Sequence, residues 1–344
     1  MLRRAFLAAP LWGAAHSWKR GMPDDFAASI LRLMEAGSVP GVVAGTIANG
    51  KPGWVRALGV RNAETKEPVQ PGSIFQAASL TKQAAAYAAF ALRDQGKLDF
   101  DKPLVAYLDD LEDPQARTVT ARHVLSHTTG FPNWRSRAGT RLIPAFAPGS
   151  QFQYSGEGYF YLQRVMEKVS RRPFAELMKA LVFQPLGLTS TSVVWQSEWT
   201  ARYAVPHDRR GRIVANWDKA LLPRVAALPN HTIPNAASSM VTCAPDYAQF
   251  LCAAIRNPEI RKELIAIRPS LGWGLGWGIE RTAGREYLWQ WGDNGGVKNF
   301  VCVEPATGDG VFVFTNGDSG ARVYDRIVVN ATAHDHPALF WLGS

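Results

Sequence analysis

Ser79 and Lys82 stand three residues apart in the run Phe75-Gln76-Ala77-Ala78-Ser79-Leu80-Thr81-Lys82, at the head of an alanine-rich segment. At helical pitch this spacing puts both side chains on one face, within contact distance. A serine hydroxyl is a weak nucleophile until a neighbour takes its proton. A lysine does so when burial or nearby positive charge lowers its pKa. The start of a helix also turns free backbone N–H groups toward a developing oxyanion. Alone, the pair is a weak signal, because a capping serine beside an exposed lysine has the same spelling.

Two later segments give it context. Tyr154-Ser155-Gly156-Glu157-Gly158-Tyr159 follows Pro148-Gly149 and precedes a helical stretch. A tyrosine there can carry a proton between serine, lysine and leaving group; the plainer alternative is a half-buried loop tyrosine. Trp291-Gly292-Asp293-Asn294-Gly295-Gly296-Val297-Lys298-Asn299-Phe300 falls on a predicted strand. Its glycines would let a substrate lie against the strand edge, where a free N–H can complete an oxyanion hole. A bulge or tight turn is the alternative.

The elements that must position these residues follow from apolar periodicity. Residues 24–36 have helical spacing, and 42–47 and 54–60 read as strands joined by Asn49-Gly50 turn chemistry. Residues 79–92 form an alanine-rich helix closed by Gly96. Helical stretches separated by Pro and Gly follow at 121–126, 158–170, 173–181 and 244–255. A Gly-rich strand region begins near 272, with strands at 287–291, 300–304 and 311–315 and a terminal helix at 322–333. Strands at both ends and helices between imply an α+β chain: one antiparallel sheet built from both chain ends and flanked by helices, with a mostly helical domain inserted. The expected boundaries are 24–100 and 250–335 for the sheet domain and 101–249 for the helical one.

On these motifs the chain resembles the class C serine β-lactamases, penicillin-binding peptidases and related esterases. Further support comes from Ala121-Arg122-His123-Val124-Leu125-Ser126-His127-Thr128-Thr129-Gly130-Phe131-Pro132, from Phe183-Gln184-Pro185-Leu186-Gly187-Leu188 and from residues 242–250. The resemblance spans roughly residues 25–333, and several motifs in one order make it specific. It implies a β-lactamase/transpeptidase-like fold, with Ser79 as nucleophile, Lys82 as general base and Tyr154 as second proton-transfer group. It places oxyanion donors at the backbone N–H of Ser79 and of Gly296, and substrate contacts at Gly156, Asp293, Asn294 and Gly295. It implies no metal and no organic cofactor.

The chain departs from the family twice. Gly156 stands where an asparagine often supplies an amide to the substrate's acyl group. Asp293 stands where Lys or His usually opens the strand motif, and an aspartate there repels a penicillin-like carboxylate. Lys298, five residues along a strand, is expected on the opposite face unless a bulge intervenes. These departures favour an esterase or broad acyl hydrolase. A β-lactamase or D-amino-acid peptidase is the second reading, and a penicillin-binding or sensor protein without turnover the third. The expected partner is a small-molecule ester or amide.

Composition agrees with a globular enzyme: 344 residues, 47% hydrophobic and 19% charged. The net charge of +9 is scattered in short groups such as Arg209/Arg210/Arg212, with no nucleic-acid motif, so a solvated basic surface is expected. Three cysteines without C-x-x-C spacing read as buried thiols, and His123/His127 and His334-Asp335-His336 as structural groups rather than metal ligands. Gly317-Asp318-Ser319-Gly320, which spells a trypsin-like serine motif, reads as a turn capping the last helix. Arg3-Arg4-Ala5-Phe6-Leu7, a short apolar stretch and small residues to Ser17 suggest a twin-arginine-type export segment at 1–17 and hence a periplasmic or secreted location, with a frayed N-terminus of a cytoplasmic chain as the alternative. No stretch carries the roughly 20 apolar residues that span a membrane.

Overall fold

The computed structural model describes residues 21–135, 140–214, 234–262 and 265–344; the expected export segment lies outside them. Helix α1 (Asp24–Ala36) buries Ala27, Ile30 and Met34, the one-face spacing the sequence predicts. Strands β1 (Gly41–Ala48) and β2 (Lys51–Gly59) pair as an antiparallel hairpin. Asn49 and Gly50 both take left-handed backbone at its tip, the conformation a two-residue reverse turn demands.

The C-terminal third supplies β5 (Ile265–Arg268), β6 (Leu271–Trp273), β7 (Gly278–Thr282), β8 (Arg285–Asn294), β9 (Val297–Glu304) and β10 (Asp309–Thr315). Together these form one eight-stranded sheet in the order β2-β1-β10-β9-β8-β7-β6-β5, antiparallel throughout. The two chain ends meet at the β1–β10 pairing, which runs from Val42 opposite Thr315 to Ile47 opposite Gly310. A single sheet from both ends is what the element order implies.

Alternation sends successive strand residues to opposite faces. On the outer face Val42, Ala44, Phe300, Val311 and Val313 join a core with α1 and α7 (Ala321–Thr332). A short helix, α8 (Pro337–Leu342), adds Ala338 and Leu339 to that core; it lies beyond the terminal helix that periodicity predicts. On the inner face Val43, Val301, Val303, Phe312 and Phe314 pack with α2 (Thr81–Asp94), α3 (Ala121–Leu125), α4 (Gly156–Ser170), α5 (Phe174–Met178) and α6 (Ala244–Ala254). Helix α2 buries alanines 84, 85, 86, 88 and 89, so it is enclosed on nearly every side. Small side chains let its neighbours approach closely, and that central position carries Lys82 into the interior. Among the described residues no helix is long and apolar enough to cross a membrane.

Candidate active site

A short strand and one 3₁₀ turn deliver Ser79. Strand β3 (Phe75–Gln76) pairs with β4 (Val241–Thr242), and the 3₁₀ turn Ala78–Leu80 leads straight into α2. Ala78 takes φ 50°, a left-handed conformation unusual for a residue with a Cβ. The kink is held from three sides. The Ala77 N–H donates to the Met240 carbonyl at 2.8 Å. The Thr81 hydroxyl donates to the Ala78 carbonyl at 2.6 Å and accepts from the Met240 N–H at 3.0 Å. On the sheet side, Asn299 Nδ2 donates to the Gln76 carbonyl at 2.8 Å, and Asn294 Nδ2 to Gln76 Oε1 at 3.0 Å. Strand β8 comes so close that a Cβ at Gly292 would lie 2.5 Å from the Ala77 carbonyl oxygen.

Lys82 is 1% exposed, and its Nζ lies 3.2 Å from Ser79 Oγ and 2.9 Å from the Ala237 carbonyl. Burial holds its pKa well below the ordinary 10.5, which leaves more of the free amine able to accept a proton. The Tyr154 ring is 4.6 Å and the Tyr159 ring 5.6 Å from Nζ. Both ring faces favour an ammonium by the weaker cation–π attraction, which burial outweighs.

Tyr154 has a half-buried ring and a fully enclosed hydroxyl that lies beside Ser79 without a partner in full hydrogen-bond geometry. Burial raises its pKa, the Ser79 hydroxyl offsets part of that rise, and Asp293 adds to it. Lysine and tyrosine are thus pushed in opposite directions: the amine toward its neutral form, the phenol toward keeping its proton. The Tyr154 ring is clamped between the His127 imidazole, 4.2 Å between centroids, and the Trp291 indole at 4.6 Å. His127 accepts the Ser155 N–H at Nδ1, 3.1 Å, and burial lowers its pKa well below the ordinary value, so it is a neutral ring here.

The structure thus brings Ser79, Lys82 and Tyr154 together. It treats the strand motif differently from expectation. Asp293 and Lys298 are cross-strand partners at the end of the β8–β9 hairpin, whose tip is Gly295-Gly296. The chain reverses between them, so they share a face, and the Lys298 ammonium pairs directly with the Asp293 carboxylate. The strand count that puts Lys298 on the opposite face fails because the glycines form a turn rather than continue the strand. Lys298 also lies 3.6 Å from Asp318. Asp318, from the segment read as a capping turn, accepts the Gly296 N–H at 2.8 Å. The donor expected at Gly296 is therefore engaged by a carboxylate and is not a free oxyanion donor in this arrangement.

Gly156 opens α4, and its N–H donates to the Asn133 side-chain oxygen at 2.9 Å. A Cβ here would lie 2.5 Å from Trp134 Cζ2. Arg135 ties this tryptophan's segment to α4 through Glu157, which is fully buried: the Arg135 N–H donates to Oε1 at 2.9 Å and the guanidinium pairs with Oε2 at 3.0 Å. An indole thus covers the position next to Gly156. Trp134, Ala237, Met240 and Gln76 are site residues that sequence reasoning misses. Of these only Gln76, inside the serine motif, stands where a local signal could point to it.

Among the described residues, Glu280, Cys302 and His336 bring one ligand atom each within 4.8 Å of one another, all buried. They lie on the outer face, and their polar atoms are engaged by protein. Glu280 pairs with His336 Nδ1 and accepts the Ala338 N–H at 2.8 Å, while His336 Nε2 faces the Thr332 hydroxyl at 2.8 Å. The arrangement fastens α8 to β7. His123 likewise has a structural post, completing the capping box of α3 with Thr120. The three cysteines are buried free thiols.

A sequence profile described as Beta-lactamase matches residues 26–334. Esterase EstB from Burkholderia gladioli is 30% identical over 270 residues, 66% of this chain and 68% of its own. A penicillin-binding protein 4 from Amycolatopsis lactamdurans is 26% identical over 76% of this chain and 77% of its own. Among solved structures, a β-lactamase/D-alanine carboxypeptidase from Pseudomonas syringae superposes with a TM-score of 0.76 at 18% identity, covering 91% of this chain and 99% of that one. A D-alanine carboxypeptidase from Burkholderia cenocepacia gives 0.72 at 22%, over 89% and 99%. At these identities the superpositions speak for the fold.

Proposed function

Since the chain belongs to the Beta-lactamase family of serine hydrolases, we propose that it is an acyl hydrolase working through an acyl-enzyme on Ser79, with carboxylic esters as its preferred substrates. The observation that carries this reading is the buried Lys82 amine 3.2 Å from Ser79 Oγ. As Ser79 Oγ attacks the ester carbonyl, its proton passes to Lys82 Nζ. The Ser79 N–H, next to the left-handed Ala78, faces the developing oxyanion. Tyr154 keeps its proton until the tetrahedral adduct collapses, gives it to the leaving alkoxide, and recovers one from the Lys82 ammonium. Water then repeats the sequence on the acyl-enzyme with Lys82 as base.

Ester preference is supported at Gly156. There Trp134 occupies the ground next to the backbone, leaving no amide side chain to grip a β-lactam's acylamino group. A second reading, a β-lactamase or D-amino-acid peptidase, is favoured by Lys298, which restores a cation where Asp293 alone would repel a carboxylate. A parallel assay on p-nitrophenyl butyrate, a chromogenic cephalosporin and a D-Ala-D-Ala peptide separates the two. Butyrate should be hydrolysed fastest; faster cephalosporin turnover would reverse the order of the readings. A fluorophosphonate should label the protein at Ser79 and fail on Ser79→Ala, and labelling that survives the substitution would remove the nucleophile assignment.

A further inference from the structure

Tyr154 also borders a second group of rings, which reaches His127 through Phe152 at 6.0 Å. Trp291 stacks on Tyr154 at 4.6 Å, and Trp341 of α8 meets Trp291 at 5.7 Å and Phe152 at 6.2 Å. Trp291, Trp341 and Phe152 are each half-buried, so apolar ring surface remains open beside the catalytic tyrosine. Trp341 is not held by helix propensity, because α8 has only six residues. It is held by its anchors: Glu280 accepts the Ala338 N–H and pairs with His336, both fully buried, and Trp341 leans on Trp289 at 5.9 Å.

We infer that Trp291 and Trp341 form a shelf for the apolar alcohol portion of the substrate, so that the preferred esters carry long-chain or aromatic alcohols. The inference rests on the ester reading above. Its direction comes from proton chemistry: the leaving oxygen must lie at Tyr154 to receive a proton, and the carbon chain on that oxygen then extends over the rings flanking Tyr154. At the strand end the Lys298 ammonium is shared between Asp293 and Asp318, 3.6 Å away, and a neutral apolar group asks for no counter-charge.

The test uses acetate esters of ethanol and hexan-1-ol, followed by acid release in a pH-stat. The wild-type protein should favour hexyl over ethyl acetate in kcat/KM. Trp341→Leu, which keeps an apolar side chain on α8, should lower that ratio about tenfold, or about 1.4 kcal/mol, mainly through KM. Phe340→Ala alters the neighbouring side chain, which is 69% exposed, and should leave the ratio as it was. A Trp341→Leu ratio equal to wild type overturns the shelf. A second readout needs no ester turnover: hexan-1-ol should slow fluorophosphonate labelling of Ser79 at concentrations where ethanol does not, and Trp341→Leu should abolish the difference. Alcohol-dependent protection without hydrolysis of either ester would mean that the ester reading fails while the shelf stands. Equal protection by both alcohols would remove the shelf alone.

Discussion

Lys82 and Tyr154 share a wall, yet their burial has opposite consequences. Burial penalises the charged form of each, which is the ammonium of one and the phenolate of the other, so the lysine pKa falls and the tyrosine pKa rises. These directions suit the proposed roles, base for Lys82 and acid for Tyr154. The rate should follow: kcat/KM rises with pH as Lys82 loses its proton, on a limb well below the ordinary lysine value of 10.5, with no Tyr154-dependent loss on the alkaline side up to about pH 10. Lys82→Ala and Tyr154→Phe should each cost about 10²–10⁴-fold in turnover, and a stopped-flow pH series should show the acid limb vanish in Lys82→Ala. A limb that persists there would name another base. The neighbouring Asp293 carries a different lesson. From sequence its charge opposes a carboxylate by about 4 kcal/mol at ~4 Å and an effective dielectric of about 20. Lys298 neutralises it across the hairpin. Lys298→Ala should therefore uncover the repulsion. KM for an anionic cephalosporin should rise at least tenfold against a change under threefold for a neutral ester, measured side by side.

At the scale of elements, Gly156 shows why a motif departure cannot be repaired one residue at a time. An asparagine there would thrust its Cβ to 2.5 Å from the Trp134 ring, and α4 begins at that residue. Gly156→Asn should cost about 1–3 kcal/mol by overpacking, seen as a lowered denaturation midpoint, and should bring no cephalosporin turnover. Trp134→Ala combined with Gly156→Asn should recover most of the midpoint. The same contrast marks what is legible in the sequence. The helix bearing Lys82 just after Ser79, the Asn49-Gly50 hairpin and the strands of both chain ends announce themselves through periodicity and turn chemistry, which are local. Lys298 is misplaced by any reading that continues the strand through Gly295-Gly296. Only the pairing of Asn294 with Val297 shows that these glycines are a tip. The Gly296 N–H looks free in sequence because Asp318, twenty-two residues on, is brought to it by the turn before α7. Helix α8 escapes notice because six residues beginning at a proline have little propensity of their own, and its buried anchor to Glu280 spans 56 residues. Contacts of that range leave no local trace.

Across the whole molecule, the proposed catalytic base is a defect in the core. Lys82 sits on a largely enclosed helix, 1% exposed, with its amine facing a carbonyl, a hydroxyl and aromatic rings rather than a carboxylate. Its pKa in the folded chain is below 10.5, the value it regains on unfolding. Between those two values the unfolded chain binds a proton that the folded chain does not, so the free energy of unfolding rises with pH across this window. Below the window the cost of burying the lysine is present in full, at about 1.36 kcal/mol for each pH unit between the folded and unfolded values. Asp325 works in the opposite sense: burial pushes its pKa up to about 6, so the folded chain holds a proton that the unfolded chain releases, and stability falls as pH climbs toward 6. Comparing two proteins at each pH cancels the Asp325 contribution. Lys82→Met keeps the shape of the side chain without its charge. It leaves the Ala237 carbonyl without its donor, which costs about 1–3 kcal/mol at every pH. The variant's stability relative to wild type should therefore be highest below the folded-state pKa of Lys82 and decline as the pH rises from there toward 10.5. Urea unfolding of both proteins at pH 6, 7, 8, 9 and 10 measures the difference. A difference that stays flat across the series would mean that Lys82 is charged in the folded protein over this range, and the free-amine mechanism would go with it.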